Sequence, residues 1–380
     1  MSRMPLIDCW SFVGSTPKSF DGEKRYISTG ALDRDHVNEA DVEMITFESR
    51  PSRANLEVAE GDVLFAKMAS TEKTFVVDSA AANDIYSTGF CAVRARESKI
   101  LPKCLYYFLS SSLFLEQKDK NSSGATQKAI TNSGLSKIYI NLPDLSEQQE
   151  FITQMDLLCS LITARREQLA KLDELVKSRF IEMFGDPKYN PKGYAKQQLK
   201  ETCRVITGNT PSRAVSEYYG DDIEWIKTDN IVEGILYPTT ATESLSQKGM
   251  EVGRTVGKDS ILMACIAGSL SSIGRVCVTD RKVAFNQQIN AIEPIKYNTL
   301  FLYVMLQLSK EYLIEEINMA LKGILSKSKL EEKIFIVPPM DLQQQFAAFV
   351  KQTDKSKFEI QQSLEKLETL KKALMQKYFG

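Results

Sequence analysis

At 380 residues the chain is too long for one ordinary core and about right for two domains of average size. Apolar residues make up 43% and charged residues 26%, which is globular composition. The 48 Lys and Arg against 49 Asp and Glu leave a net charge of −1, so no global field draws in a polyanion.

No run of eighteen apolar residues offers a membrane span, and the opening MSRMPLIDCW lacks a signal-peptide core. Seven scattered cysteines without a CxxC pair fit reduced thiols in a cytoplasmic protein, with no disulfide framework and no metal site.

Residues 1–142 form the first segment and read as mixed α and β. The stretch CWSFVGSTP (residues 9–17) precedes short apolar runs at 63–66, 75–77 and 89–93 that read as strands. Residues 101–118 read as one apolar helix. His36, the single histidine, sits in the polar run Asp33-Arg34-Asp35-His36 and reads as a solvated surface residue, which leaves Ser-His-Asp and Cys-His chemistry without a base.

Residues 143–185 read as a long helix. Pro143 closes a strand at 138–140, Ser146 is the expected N-cap, and no proline or glycine follows before Gly185. Apolar residues spaced by 4 and 3 (Phe151, Met155, Leu158, Ile162, Leu169, Leu172, Val176, Met183) make a coiled-coil seam, with Arg165 and Arg179 as polar interruptions. Residues 186–194, rich in Pro, Gly and Asn, read as a linker.

Residues 195–337 repeat the first segment loosely. CRVITGNTP (203–211) echoes residues 9–17, Trp225-Ile226-Lys227-Thr228 echoes Tyr26-Ile27-Ser28-Thr29, and an apolar helix at 300–317 matches 101–118. Residues 338–380 are a second long helix, with Asp341 as the expected N-cap. Its seam is Phe346, Val350, Ile360, Leu364, Leu367, Leu374 and Tyr378, interrupted by Thr353, Lys357 and Lys371. A shift of 195 residues aligns 143–185 with 338–380 without a gap, identical at 11 of 43 positions.

Such helices do not bury their stripes alone. Seven acids and five bases in 146–185 against five and seven in 341–380 favour antiparallel pairing of the two, along Leu158, Ile162, Leu169, Leu172 and Val176 on one and Ile360, Leu364, Leu367 and Leu374 on the other.

Catalytic motifs are missing. The phosphate loop GxxxxGK[ST] is absent, Glu97-Ser98-Lys99 lacks an upstream aspartate for a metal-dependent nuclease, and Asp186-Pro187-Lys188-Tyr189 departs from an amino-methyltransferase DPPY at Lys188.

The loops instead carry groups suited to phosphates and base edges. In the first half these are Ser15, Thr16, Lys18, Ser28, Thr29, Lys67, Lys73, Ser87 and Thr88. In the second they are Asn209, Thr210, Ser212, Arg213, Lys227, Asp229, Asn230, Ser271, Ser272, Arg275, Asn286, Gln287 and Gln288. Asn and Gln can pair bidentately with adenine, Arg and Lys with guanine, while Ser and Thr grip phosphate.

Two variable segments, each followed by a helix opening Pro-x-Leu/Met-x-x-Gln-Gln-x-Phe, together with Gly-x-Thr-Pro at 14–17 and 208–211, the Ser-Thr-Gly-Phe run at 87–90, Asn286-Gln287 and the helix exit Met183-Phe184-Gly185-Asp186-Pro187, resemble the specificity subunit of a type I restriction-modification enzyme across essentially the whole chain.

The resemblance implies an α+β fold: two tandem target-recognition domains separated by two long helices paired as an antiparallel coiled coil with pseudo-two-fold symmetry. It implies a non-catalytic reader of a bipartite site in double-stranded DNA, one half-site per domain, with the helices fixing the spacer. The partners implied are two N6-adenine methyltransferase subunits and, where one joins, a restriction subunit. S-adenosylmethionine, and ATP with magnesium, would be used by those partners and none bound by this chain. Carried over by position, Gln148, Gln149, Phe151, Gln343, Gln344 and Phe346 would lie at helix starts as partner contacts, with Gln127 and the loops 123–127 and 322–328 beside them. The first half starts close to its Cys9 segment, so its edge is expected to lack the lead-in that residues 193–199 provide in the second. The competing reading is a coiled-coil adaptor without DNA sequence readout.

Overall fold

The computed structural model describes residues 2–315, 317 and 323–380. They divide into two compact units: Met1–Ala164 with Leu364–Gly380, and Arg165–Ser363.

In the first unit the strands are β1 (Ser2–Pro5), β2 (Trp10–Phe12), β3 (Lys24–Ile27), β4 (Leu32–Asp33), β5 (His36–Val37), β6 (Glu43–Ile45), β7 (Ala54–Leu56), β8 (Val63–Ala66), β9 (Thr74–Val76), β10 (Ile85–Ser87) and β11 (Phe90–Ala95). Helices α1 (Pro102–Leu109), α2 (Ser112–Lys120) and α3 (Asn132–Leu135), strand β12 (Tyr139–Leu142) and helix α4 (Leu145–Phe184) follow. They build sheets ordered β6-β3-β10-β7 and β2-β11-β8-β9, with β1 paired to β12.

The second unit holds β13 (Lys196–Gln198), α5 (Leu199–Thr202), β14 (Cys203–Thr207), β15 (Tyr219–Ile226), β16 (Ser244–Leu245), α6 (Gln247–Val252), β17 (Thr255–Val256), β18 (Ile261–Ala264), β19 (Val276–Val278), β20 (Val283–Phe285) and β21 (Ile289–Pro294). After them come α7 (Thr299–Leu308), α8 (Lys310–Ile314), α9 (Lys327–Glu332), β22 (Ile334–Ile336) and α10 (Met340–Phe379). The sheets are β16-β15-β20-β17, β14-β21-β18-β19 and β13-β22, which repeats the order of the first unit's three sheets; the first unit's β4-β5 hairpin has no counterpart among the second unit's described strands. The loose sequence echo is a structural repeat of all three of those sheets.

The middle strands explain the apolar runs. All four residues of β8 are buried: Val63 and Phe65 pack in the core under α1 and α2, while Leu64 and Ala66 face the other sheet. In β18, Ile261 and Met263 divide from Leu262 and Ala264 in the same way. A strand covered on both faces reads as continuous rather than alternating hydrophobicity.

Each long helix is one unbroken run of forty residues, about 60 Å at ~1.5 Å per residue. In the first unit the start of α4 packs on the end of α10, with Phe151 5.0 Å from both Tyr378 and Phe379. In the second the start of α10 meets the end of α4, with Phe346 5.4 Å from Phe180 and 5.6 Å from Phe184. A shift of 195 turns Phe151–Phe379 into Phe346–Phe184 with the helices exchanged, and within each unit the helices pair antiparallel as expected from the sequence. The seam follows: Leu158, Ile162 and Leu364 are buried, and Leu169, Leu172, Val176, Ile360, Leu367 and Leu374 are half-buried. One polar interruption is a tie, since Lys357 donates to Asp173 Oδ1 at 2.7 Å and to Gly234 O at 3.0 Å.

Some local expectations need correction. Residues 101–118 are two helices, because Ser111 Oγ accepts from Phe114 N and caps α2 while Ser110 Oγ bonds back to Tyr106 O. The counterpart breaks at Ser309 between α7 and α8, and residue 316 lies outside the described residues.

The cap of α4 is Asp144, not Ser146: Asp144 Oδ1 accepts from Glu147 N and Glu147 Oε2 from Asp144 N, a reciprocal box. α10 starts at Met340, so Asp341 lies inside its first turn.

Residues 186–194 form a pinned turn between α4 and β13, with Asp186 Oδ1 accepting from Lys188 N at 2.8 Å and Asn190 bonding Tyr194 through both amide atoms. The lead-in expected to be missing is β1, which pairs with β12 as β13 pairs with β22.

Candidate nucleic-acid interface

In the first unit β3 and β10 run parallel, Tyr26 beside Ile85 and Ile27 beside Tyr86. Their carboxyl ends bring Ser28 and Thr29 next to Ser87 and Thr88. Thr88 N donates to Arg53 O at 2.9 Å, which draws in the loop before β7. The result is an open cleft of about 400 Å³ lined by Tyr26, Ser28, Thr29, Glu43, Ser52, Arg53 and Ser87.

Not every candidate is free there. Ser87 is buried and its hydroxyl accepts from Gly89 N, so it shapes the turn beneath the exposed Thr88. Lys73 Nζ donates to Thr29 O at 2.7 Å, and the half-buried Lys67 is held by its amide to Gly89 O. Ser15, Thr16 and Lys18 are exposed after β2, where Ser15 bridges to Glu57. That turn requires glycine: Gly14 has φ +96°, and a Cβ there would lie 2.5 Å from Leu56. Arg53, exposed at the cleft, was missed because no motif marks it.

In the second unit β15 and β20 are the parallel pair, Trp225 beside Ala284 and Ile226 beside Phe285. Asn286 N donates to Ile226 O at 3.0 Å, placing Lys227 beside Asn286–Gln288 as Ser28 lies beside Ser87. β14 ends against them at Gly208, where a Cβ would sit 2.1 Å from Asn286 O. The Thr210 hydroxyl then bonds the exposed Gln287.

Most of the Asn and Gln candidates are spent on the loops. Asn209 accepts from Arg254 N at 2.7 Å and donates to Val252 O at 2.8 Å. Asn230 is buried, accepts from Lys227 N and donates to Thr239 and Thr240. Asn286 is buried and closed on Gln288. These four residues brace the cluster instead of presenting amides to a base edge.

What stays exposed is Thr210, Ser212, Arg213, Asp229 and Gln287, with Lys227 half-buried beside them. Arg213 and Lys227 both meet Glu243, over the ring of Trp225. Lys227 and Arg213 hold the Glu243 carboxyl below the ordinary glutamate range against a smaller desolvation penalty. Sequence reasoning missed Glu243, which precedes β16, thirty residues from Arg213.

Ser271, Ser272 and Arg275 belong to another neighbourhood. The two serines bond Ser269, Ser271 O accepts from Lys310, and Arg275 lines a cavity of about 210 Å³ with Asp173, Glu233, Val350 and Lys357. Arg275 therefore faces the helix pair, not the Lys227 cluster.

The helix-start residues are also corrected. Gln148 is fully buried, donating to Lys99 O and Pro143 O at 2.9 Å and accepting from Leu101 N at 2.8 Å. Gln343 donates to Pro338 O and accepts from Asn298 N in the same manner. With the buried Phe151 and Phe346 they dock each helix on its own unit, leaving Gln149, Gln344 and Gln127 exposed. Of the loop 322–328, Lys322 lies outside the described residues; Leu325 N donates to Cys265 O. Among the described residues no helix is long and apolar enough to cross a membrane.

A model of the type I restriction modification DNA specificity domain matches residues 12–173 and again 191–372. The type I restriction enzyme HindI specificity subunit of Haemophilus influenzae is 24% identical over 335 residues, covering 68% of this chain and 72% of that one. The MjaIX specificity subunit of Methanocaldococcus jannaschii is 24% identical over 301 residues, covering 73% and 68%.

Among solved structures, the S subunit of a type I restriction-modification system from M. genitalium superposes with a TM-score of 0.58 at 13% identity, covering 100% of this chain and 96% of that one. A chain from a study of type I system assembly and conformational transition gives 0.58 at 20%, covering 99% and 97%. At such identity these two establish the fold. Two family matches that together span most of the sequence establish the family: the chain belongs to the type I restriction-modification DNA specificity family.

Proposed function

We propose that the chain reads a bipartite site in double-stranded DNA, one half-site per recognition domain, with the paired helices setting the spacer. Two N6-adenine methyltransferase subunits assemble on the helices and flanking loops, a restriction subunit where one joins, all in the cytoplasm. S-adenosylmethionine, and ATP with magnesium, are bound by those partners.

The observation that carries the reading is the repeated loop cluster. Each unit ends a parallel strand pair in polar loops on the same frame, with different residues at matched positions: Ser28 and Thr88 in one, Lys227 and Gln287 in the other. One frame with two sets of side chains is what two different half-sites require, because base edges are told apart by donor and acceptor pattern.

Methylome sequencing of cells expressing the chain with its methyltransferase subunits is expected to show one split adenine motif that disappears without the chain. Complex formation without any such motif would favour the adaptor reading.

A further inference from the structure

We infer that Arg213 reads a guanine in the second half-site and that Glu243 positions it, an inference that rests on the DNA-reading role proposed above.

The support under Arg213 is built from two rings. The Trp225 indole is buried and its Nε1–H donates to Asn209 O at 3.3 Å. The Tyr219 hydroxyl donates to Pro211 O at 2.8 Å, and the two rings meet edge-on with centroids 6.1 Å apart. Both rings are therefore tied to the segment that leads into Arg213. Its guanidinium lies 5.2 Å from the Tyr219 centroid and 5.6 Å from that of Trp225, and Nη2 donates to Glu243 at 2.8 Å.

These restraints pre-order a side chain that otherwise surrenders much rotamer freedom on binding. The Arg213 side chain nevertheless keeps 60% of its surface exposed. A guanidinium carries five N–H donors in one plane, and one is engaged here. The open fork matches the O6 and N7 acceptors of guanine in the major groove.

The charges favour a base over a phosphate. Glu243 also accepts from Lys227, whose Nζ stands 5.2 Å from the Trp225 centroid. One carboxylate against two cations leaves a single net positive charge. Glu243 cancels one of the two cations and so weakens the pull on a phosphate, while the unengaged N–H donors of the fork remain free to meet a neutral base edge. The Glu243 main chain is also fixed beside β15, where Glu243 O accepts from Trp225 N at 3.0 Å.

The test is methylation of a randomised-site plasmid library by the chain assembled with its methyltransferase subunits, scored position by position. Arg213→Ala is expected to cut guanine preference at one position of one half-site about tenfold or more, with the other half-site unchanged. Arg213→Lys, which keeps the charge and loses the planar fork, should retain only part of the preference.

Glu243→Gln should weaken the same position several-fold. It should also tighten non-specific duplex binding, with a log–log salt slope steeper by about one. Glu243→Asp should restore part of the preference, and the variants should melt as the parent does.

An even loss of binding across all sequences in Arg213→Ala would make it a phosphate contact and overturn the inference. So would a Glu243→Gln profile unchanged at every position. If the unaltered complex methylates no split motif, the DNA-reading role itself fails; if it does and Arg213→Ala keeps every preference, only this inference falls.

Discussion

Gln148 and Gln343 show how a repeated residue can be structural although its motif looks like a contact signature. Each is a buried amide whose oxygen takes a backbone N–H from a segment far along the chain and whose nitrogen serves backbone carbonyls. Removing such a side chain strands buried groups, at about 1–3 kcal/mol. Gln148→Ala or Gln343→Ala should lower the melting temperature by roughly 2–10 °C, while Gln149→Ala on the exposed side should leave it unchanged. Equal effects would contradict the burial. Sequence alone marked Gln-Gln-x-Phe as important; which of two adjacent glutamines points inward depends on the helix's rotation against its own unit.

Glu224 supports the same kind of argument in pH. The Arg281 guanidinium and the Ala241 amide hold its carboxyl below the ordinary glutamate range, against a desolvation penalty that ranks second. A depressed folded pKa gives stability that is complete above the unfolded value and is lost as pH falls through the folded one. Glu224→Gln should therefore flatten the acid side of the stability–pH curve between about pH 5 and 3. Thermal melts across that range read it, and parallel curves for parent and variant would refute it.

Elements repeat this division between what is local and what is not. The heptad stripe on α4 and α10 is legible because its period lies within the chain, and the buried and half-buried positions follow it. Its depth is not legible. Leu364 is 7% exposed while Leu172 is half-buried. Leu364→Asp thus strands a charge at a cost of several kcal/mol, whereas an aspartate at 172 still reaches water. Chemical denaturation should rank Leu364→Asp well below Leu172→Asp in midpoint, and Phe346→Ala should lose about 3–5 kcal/mol from the aromatic cluster it shares with Phe180 and Phe184. The breaks at Ser110–Ser111 and Ser309 escaped the sequence reading because the apolar periodicity runs on through them. At Ser110–Ser111 the serine hydroxyls compete for the backbone bonds that would have continued the helix.

At the scale of the whole molecule the module of about 195 residues is written twice, and function should divide with it. Replacing residues 1–142 by the corresponding segment of another family member should change one half of the methylated motif and leave the other half and the spacer intact. A change in both halves, read by methylome sequencing, would end the modular reading. The net charge of −1, which at first spoke against a nucleic-acid partner, is compatible with a reader whose cations are locally paired, as Arg213 and Lys227 are with Glu243.

The sequence by itself determined the duplication, the two long helices with their shared stripe and the family, because repeats, heptads and motifs are patterns along the chain. Only the tertiary structure decided which polar side chains remain available. Asn209, Asn230 and Asn286 are drawn into bracing their own loops, Arg275 turns to the helix pair, and Arg213 finds Glu243 thirty residues away. A side chain's hydrogen-bonding capacity is claimed by whatever the fold brings within about 3 Å, and that neighbour is seldom its neighbour in sequence.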